Sequence, residues 1–273
     1  MFGVHADERM TTVRLALGGS IDKVRASLVG DDGRSPHLLV SYVYYNSIMR
    51  PMRKTMRMKN WSLDSGAFSA WKSGKVIVLE DYADFCLKQI QQDSALVEIV
   101  SLDSIGNADQ SMVNAYRLVD LGIPVMPVFH IGDPWEHLVE YCNGWDKVGL
   151  SCRFGESVTT SLKWIEQCFA RAWPHKFHSF GWTSFSMLKR FPFHSADAST
   201  WSHRPAAFGE WHRFGKLSIR CKTNCSIYAT QIDFYMDMER YLQAKWCRQM
   251  TIIEQIDTKG KVQVEFRKEK ANE

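Results

Sequence analysis

The stretch Trp61-Ser62-Leu63-Asp64-Ser65-Gly66-Ala67-Phe68-Ser69 decides the fold class. Its first part, Trp61–Asp64, has the short, β-rich character of a strand. Asp64 stands at the C-terminal end of that strand, and Gly66 allows the chain to turn sharply into the next segment. A strand that ends in an acid and a tight turn is typical of α/β barrels, where functional groups follow the strands.

The same unit recurs along the chain. Between about residue 36 and residue 200, β-rich runs alternate with segments of helical period, and each pair takes roughly 20–35 residues, as βα units do. The predicted strands are Thr12–Leu17, Leu38–Tyr45, Trp61–Asp64, Leu96–Asp103, Pro124–His130, Lys147–Ser151, Lys176–Gly181 and Ser195–Ser199. The predicted helices are Ile21–Leu28, Leu79–Gln92, Met112–Leu121, Trp135–Tyr141, Leu162–Ala172 and Gln231–Ile256.

This alternation predicts an α/β fold, a (β/α)8 TIM-type barrel with a short C-terminal helical extension. We expect residues 1–273 to form a single domain, with the core motifs in 36–203 and an aromatic, basic loop and a helix in 204–256. A last alternating run, Lys261–Arg267, predicts an edge strand or hairpin arm. An open doubly wound sheet is the alternative, although no G-x-G-x-x-G motif follows an early strand.

The composition excludes a disordered chain, because 45% of the residues are hydrophobic and there is no low-complexity tract. The formal net charge of +4 fits a polyanionic partner and an ordinary enzyme equally well. We expect no membrane segment and a cytoplasmic location, which would be the host cytoplasm for a phage protein. The seven scattered cysteines indicate reduced thiols in the core.

One local run is more basic than the rest. It contains Arg50, Arg53, Lys54, Arg57 and Lys59 with interleaved methionines, and Trp61 follows it. Cations can contact phosphates and apolar side chains can support unstacked bases, so the run is a candidate nucleic-acid contact. A solvated loop is the alternative interpretation.

Polar residues collect at the predicted C-terminal strand ends, which meet at one rim of a barrel. They are Asp64 with Ser65 and Gly66, Asp103, His130, Ser151 after Gly149, His178 with Gly181, and Asp197. Each has a structural explanation of its own, as a turn residue, a hydrogen-bonded histidine or a flexible glycine. Their occurrence together at one rim favours a functional site.

Asp64, Asp103 and Asp197 would support chemistry at a sugar carbon, where one carboxylate attacks and another moves protons. A hydrolytic metal site built from His130, His178 and an aspartate is the alternative. No H-x-H pair and no H-E-x-x-H spacing supports that metal site.

In this order, the strand-end motifs resemble the tRNA-guanine transglycosylase superfamily. More particularly, they are similar to its phage and bacterial branch, which inserts 7-deazaguanine derivatives into DNA. The likeness covers about residues 36–203, and the D-S-G-A-F-S element is its most specific part. The motifs are Leu63–Ser69, Leu102-Asp103, Pro127–His130, Val148–Ser151, Phe180-Gly181 and Ala196-Asp197.

The resemblance implies that Asp197 displaces guanine from the anomeric carbon, giving a covalent intermediate that a free 7-deazaguanine base resolves. It implies that Asp64 is the general acid/base and that Asp103 reads the Watson–Crick edge of guanine. Gly149 and Leu150 match a loop whose backbone contacts the base. His130 stands where the tRNA enzymes usually carry a glutamine, so recognition of the incoming base is expected to differ.

The full set of predicted site residues follows from these matches and from the rim. Asp197 and Asp64 are predicted to be catalytic, and Phe68, together with Trp71 or Trp182, is a candidate for stacking on an extruded base. The predicted substrate-binding residues are Ser65, Gly66, Phe68, Asp103, His130, Gly149, Leu150, Ser151, His178 and Gly181.

The chain departs from the tRNA enzymes at their structural zinc site. Cys221, Cys225 and Cys247 have a different spacing, and His212 lies upstream, so a rearranged zinc site is a candidate. The chemistry itself requires no cofactor. DNA is the expected partner and tRNA the alternative; a barrel N-glycoside hydrolase and a non-catalytic nucleic-acid-binding protein are the competing functions. The oligomeric state stays open.

Overall fold

Nine parallel strands form one sheet, in the order β5-β4-β3-β2-β1-β9-β8-β7-β6. The computed structural model describes residues 11–17, 28, 33–152, 155–202, 211–214, 217–220 and 227–257. The strands of this sheet are β1 (Thr12–Ala16), β2 (His37–Ser41), β3 (Asn60–Asp64), β4 (Leu96–Val100), β5 (Val125–Met126), β6 (Val128–His130), β7 (Lys147–Ser151), β8 (Lys176–Phe180) and β9 (Ser195–Ala198).

Pro127 explains how this sheet closes. β5 pairs with β4, whereas β6, which only Pro127 separates from β5, pairs with β7. The Pro127 carbonyl accepts a hydrogen bond from the Gly149 amide at 2.8 Å, so the chain changes neighbours without leaving the sheet. β5 and β6 therefore act as one interrupted strand, and the sheet closes into an eight-stranded barrel. The predicted α/β barrel is confirmed.

Helices follow the strands around the barrel. They are α1 (Tyr42–Tyr44), a π-helical turn (Tyr45–Met49), α2 (Arg50–Met52), α3 (Ala67–Lys72), α4 (Leu79–Gln92), α5 (Ala108–Asp120), α6 (Trp135–Gly144), α7 (Val158–Ala172), α8 (Phe185–Arg190) and α9 (Ile227–Asp257). Three of them have a side-chain N-cap: the side chains of Asn107, Ser157 and Ser184 each accept a hydrogen bond from a backbone N–H of the first turn. α4 has the predicted bounds.

The predicted strand Leu38–Tyr45 is wrong in its second half. The strand ends at Ser41, and the chain is helical from Tyr42 to Met52. Tyr45, Ile48, Met49 and Met52 are buried at helical spacing, so burial of this face outweighs the β preference of the tyrosine and valine residues before it.

The C-terminal part contains two strands where a loop was predicted. β10 (Trp211–Phe214) and β11 (Leu217–Arg220) form an antiparallel pair within the region predicted to be loop and basic. α9 contains the predicted helix Gln231–Ile256. The predicted helix Ile21–Leu28, except Leu28, and the predicted strand Lys261–Arg267 lie outside the described residues.

α9 packs at the start of β1. The Glu239 carboxylate accepts the Val13 amide at 2.7 Å, and the Gln243 side chain donates to the Thr11 carbonyl at 3.2 Å. The Trp246 indole donates to the Leu188 carbonyl, which ties the same helix to α8. None of the described helices combines the length and the apolar character that crossing a bilayer requires.

The barrel interior is partly charged. Side chains of β1 alternate, so Val13 and Leu15 join the apolar core while Arg14 faces the other way. Arg14 reaches Ser62 on β3 and Glu98 on β4, and Lys147 on β7 also contacts Glu98. β1 is a neighbour of neither β3 nor β4, and β7 is not a neighbour of β4, so these contacts cross the interior of the barrel.

Gly149 marks a close contact in that interior. A Cβ atom added to Gly149 would lie 3.0 Å from Cδ2 of Phe180 and closer still to its Cε2. We therefore expect Gly149→Ala to lower the free energy of unfolding by about 1–3 kcal/mol, because the aromatic ring has to move. Urea denaturation measures this. Gly144→Ala is the matched control, since a Cβ atom there meets nothing within 4 Å; equal losses in both variants would contradict the explanation.

Candidate active site

Asp64 and Asp197 lie at the same end of the barrel. Asp64 is the last residue of β3, and its carboxylate accepts the Gly66 amide at 3.1 Å. Asp197 lies in β9 with 6% of its surface exposed, and its carboxylate accepts the Gly181 amide at 2.9 Å. Each acid is thus fixed by the backbone of a turn that follows a strand.

Burial raises the pKa of both acids. The pKa of Asp64 rises to about 6 because of burial and because of the negative charge of Asp197 nearby; the Gly66 amide and Ser41 hydroxyl oppose the rise. The pKa of Asp197 also rises to about 6 through burial, while the Gly181 amide and the positive charge of Arg14 favour its ionised form. Near neutral pH the pair can therefore hold or release a proton.

Asp103 and His130 form a second pair at the rim. Asp103 follows β4 and His130 ends β6, and their nearest side-chain atoms are 3.4 Å apart. Asp133 accepts the His130 amide at 2.9 Å and lies 3.5 Å from its Nδ1. Burial raises the pKa of Asp103 to about 7; His130 opposes this rise, and Asp64 and Asp133 add to it. The charge of Asp103 therefore depends on its neighbours.

Gly66 shapes the turn that holds Asp64. Its φ is +76°, which other residues rarely adopt, and it precedes the first residue of α3. A Cβ atom there would lie 2.5 Å from the Ser41 hydroxyl and 3.0 Å from the Val43 side chain. Both the backbone conformation and the space at this position therefore require glycine.

An aromatic ledge begins beside this turn. We define the ledge as Val43, Phe68 and Trp71, whose side chains are 38%, 47% and 59% exposed. Val43 contacts the Gly66 position, and the rings of Phe68 and Trp71 lie 6.0 Å apart on α3. Trp182, the other candidate for stacking, is half-buried. The ledge places apolar surface next to Asp64.

Some predicted substrate-binding side chains do not reach the rim. His178 has no exposed surface; its Nδ1 pairs with the Ser195 hydroxyl at 2.8 Å and its Nε2 lies 3.6 Å from Asp197. Burial lowers the pKa of His178 well below its usual value, so the ring is neutral. His178 lies beside Asp197 inside the barrel, and its predicted contact with a substrate stays a prediction.

Other predicted substrate-binding residues also lie in the interior. Leu150 is buried in the apolar core and Ser65 is 2% exposed, so the backbone contact predicted for Leu150 and the binding role predicted for Ser65 stay predictions. Gly149 lies in strand β7 and not in a loop, with the Phe180 ring against it. Ser151 does lie at the end of β7, opposite His130 in the strand register.

The charged residues inside the barrel, Arg14, Glu98 and Lys147, were not among the predicted site residues. Arg14 and Glu98 each interrupt a predicted apolar strand, which is the signal that could have identified them, whereas Lys147 stands at the start of its strand and gives no such signal. A charge in the middle of a strand that is buried on both faces requires a partner across the barrel.

The basic run lies away from the acids. Arg53 pairs with Asp93, which precedes β4, and Lys59 immediately precedes β3. These are N-terminal strand ends, whereas Asp64 stands at a C-terminal end. Met52 and Met56 are buried, so they offer no platform to a base. The predicted nucleic-acid contact through this run has no support from its position.

The same N-terminal end contains a cleft of about 580 Å³. Its lining is mostly aliphatic, with Trp145 at one side and with Glu98 and Lys147 among its polar residues. None of the predicted site residues lines this cleft.

The described part of the chain contains no group of three or more histidine, cysteine or acidic side chains that could hold a metal ion. The alternative metal site of His130, His178 and an aspartate is therefore not formed. For the predicted zinc site, Cys247 is exposed on α9, whereas Cys221, Cys225 and the side chain of His212 lie outside the described residues. That site stays a prediction.

Comparisons of the sequence with protein-family models and with curated proteins found no match. Among solved structures, the chain is similar to a tryptophan synthase α-subunit from Pyrococcus furiosus, at a TM-score of 0.47 and 12% identity over 86% of this chain and 98% of that one. It is also similar to the YdjI aldolase of Escherichia coli K12, at a TM-score of 0.46 and 11% identity over 92% of both chains. The strand order itself establishes the barrel.

Asp103 makes stability depend on pH. Its raised pKa means that its contribution to stability is full below the unfolded pKa near 4 and is lost as pH rises through about 7. Asp103→Asn removes this titration. We therefore expect the free energy of unfolding of the variant, relative to that of the unmodified protein, to be about 2–3 kcal/mol higher at pH 8 than at pH 5. Urea denaturation at both pH values measures the difference. Asp120→Asn, an exposed control on α5, should show no such trend; a trend of the same size there would refute the assignment to Asp103.

Proposed function

We propose that this protein is a DNA-guanine transglycosylase that exchanges guanine for a 7-deazaguanine derivative through a covalent aspartyl–sugar intermediate. The observation that carries the proposal is the pair Asp64 and Asp197, two buried carboxyl groups at one barrel rim whose pKa values are both about 6. One of the pair can be ionised while the other keeps its proton, which is the state that base exchange requires.

In the first half-reaction, the ionised Asp197 attacks C1′ of the target nucleotide. A bond forms between the carboxylate oxygen and C1′, and the bond from C1′ to N9 of guanine breaks. The electron pair of that bond goes to the base, which takes the proton from Asp64 and leaves as neutral guanine. The carboxylate also stabilises the positive charge that develops on the sugar.

The second half-reaction runs in reverse with a different base. Asp64, now ionised, takes the N9 proton of the incoming 7-deazaguanine. That nitrogen attacks C1′, the ester bond breaks, and Asp197 returns to its carboxylate form. One acid thus serves as proton donor and then as proton acceptor, so no external acid or base is consumed.

Asp103 and His130 suit recognition of the base. Guanine presents two adjacent N–H donors on its Watson–Crick edge, and a carboxylate presents two acceptor oxygens. His130 lies 3.4 Å from Asp103 and favours its ionised form, which is the accepting form. A 7-deazaguanine keeps the same edge, so one pair of residues serves both the leaving and the incoming base.

The aromatic ledge suits a nucleotide that has left the duplex. A base inside a stacked duplex cannot reach buried acids, so enzymes that act on bases extrude them and stack them on apolar side chains. Phe68 and Trp71 are exposed on α3, the helix that follows Asp64, and neither ring is buried in the apolar core. The choice of DNA over tRNA follows from the resemblance to the phage and bacterial branch of the superfamily.

Two experiments on labelled guanine separate the proposal from its rivals. Radiolabelled guanine is offered with purified protein to duplex DNA and, in parallel, to tRNA transcripts. Label in DNA supports the proposal, whereas label only in tRNA transfers the same chemistry to the alternative substrate. If unlabelled guanine left the nucleic acid and no label entered it, the protein would be an N-glycoside hydrolase.

Removal of the nucleophile is the first mechanistic prediction. We expect Asp197→Ala to lower exchange by more than about a thousandfold and to abolish the covalent DNA adduct seen in a denaturing gel. Asp64→Asn should slow exchange by about 10²–10⁴-fold because proton transfer is lost. Asp120→Ala, on the outer helix α5, is the control and should exchange at the unmodified rate. Substantial exchange by Asp197→Ala would rule out the mechanism.

The ledge gives a prediction about substrate affinity. Phe68→Ala and Trp71→Ala should each weaken DNA binding by about 10- to 100-fold, because stacking on one base contributes about 1–3 kcal/mol. Fluorescence anisotropy with a labelled duplex containing a mismatched guanine measures this. Tyr116→Ala removes a similarly exposed ring from α5, away from the rim, and should bind normally. If all three variants bound alike, stacking on the ledge would be excluded.

A further inference from the structure

The charged cluster inside the barrel contains two basic side chains, Arg14 and Lys147, and one acidic side chain, Glu98. Arg14 donates from Nε to the Ser62 hydroxyl at 2.6 Å, and its terminal nitrogen lies 3.2 Å from Glu98. Lys147 contacts the other oxygen of Glu98 from the opposite wall. Two basic groups therefore share one buried carboxylate. The pKa of Lys147 falls to about 7, mainly because of burial, with contributions from the positive charges of Arg14 and Lys176.

Arg14 lies next to Asp197. Their Cα atoms are partners in the pairing of β1 with β9, and the two residues are 5% and 6% exposed. One nitrogen of Arg14, Nη1, is buried and has no hydrogen-bond partner among the described residues. The guanidinium thus has a donor that Ser62 and Glu98 do not use.

Other titratable groups surround Arg14 and Asp197 in the described part of the chain. Asp197 faces Arg14 from β1, the neutral His178 from β8 and Asp64 from β3. Arg14 in turn faces Glu98 from β4 and Glu239 from α9. Arg14 is the positive charge that stabilises the ionised form of Asp197 in this set.

We propose that Arg14 is a positioning residue for Asp197: held by Ser62 and Glu98, its guanidinium supplies a buried positive charge that favours the ionised form of the Asp197 carboxylate. The guanidinium touches neither the substrate nor the reacting atoms. The contribution of Arg14 to catalysis rests on the proposed function, whereas its effect on the charge of Asp197 does not.

The test reads the charge of Asp197 directly. Protein labelled with ¹³C at the aspartate carboxyl carbon is titrated by NMR, and the Asp197 signal is identified by its absence in Asp197→Asn. We expect Arg14→Met to raise the titration midpoint of Asp197 by about 1 pH unit or more, because a nearby positive charge is removed. Arg14→Lys keeps the charge and should restore most of the shift. Arg190→Met, which removes an exposed arginine paired with Glu166, is the matched control and should leave the midpoint unchanged.

Folding is checked by circular dichroism. If Arg14→Met does not fold, the triple variant Arg14→Met, Glu98→Met, Lys147→Met replaces the whole cluster with apolar residues of similar size, a change that proteins often tolerate. The same upward shift is expected there. An unchanged Asp197 midpoint in a folded variant would overturn the proposal.

Activity forms a separate arm of the test. If the protein exchanges guanine, the acidic limb of kcat/KM should move upward with the NMR midpoint in Arg14→Met. A shifted midpoint in a protein that exchanges no base would retain the role of Arg14 and reject the proposed function. A normal acidic limb together with an unshifted midpoint would reject the role of Arg14 alone.

Discussion

Closure of the parallel sheet is the constraint on which the rest of the structure depends. Hydrogen bonding between β1 and β9 joins the first strand of the sheet to the last, and the bond from Gly149 to Pro127 completes the circle. Because all strands run in one direction, their C-terminal ends then lie at one rim. Asp64, Asp103, His130 and Asp197 become neighbours through this closure, although they are far apart in sequence.

Burial at that rim determines the chemistry available to the acids. A carboxyl group in water is ionised at neutral pH, whereas the enclosed Asp64 and Asp197 have pKa values of about 6. Backbone amides of Gly66 and Gly181 offset part of the cost of burying the charge. The barrel therefore provides two acids that can each hold or release a proton near pH 6, a pH at which an aspartate in water is ionised.

Much of the fold was predictable because βα units repeat with a clear period. The strand ending at Asp64 and the helix Leu79–Gln92 follow directly from local patterns. The helix over Tyr42–Met52 was not predictable from its composition, since only its packing against the core selects helix over strand. His178 shows the limit for the site: a histidine near a strand end looks the same in sequence whether it faces the rim or the interior. Arg14 was missed because its partners, Ser62 and Glu98, come from strands that only the closed barrel brings together.

The interruption at Pro127 forms the seam of the barrel wall, with β5 on one side and β6 on the other. Proline has no amide hydrogen, so the residue at which the chain changes neighbours leaves no unpaired donor in the wall. Asp103 follows β4 on one side of the seam and His130 ends β6 on the other, and their contact of 3.4 Å spans the seam. Asp197 lies on β9, which β7 and β8 separate from the seam. Under the proposed function, a change at the seam would therefore affect base recognition more directly than the chemical step.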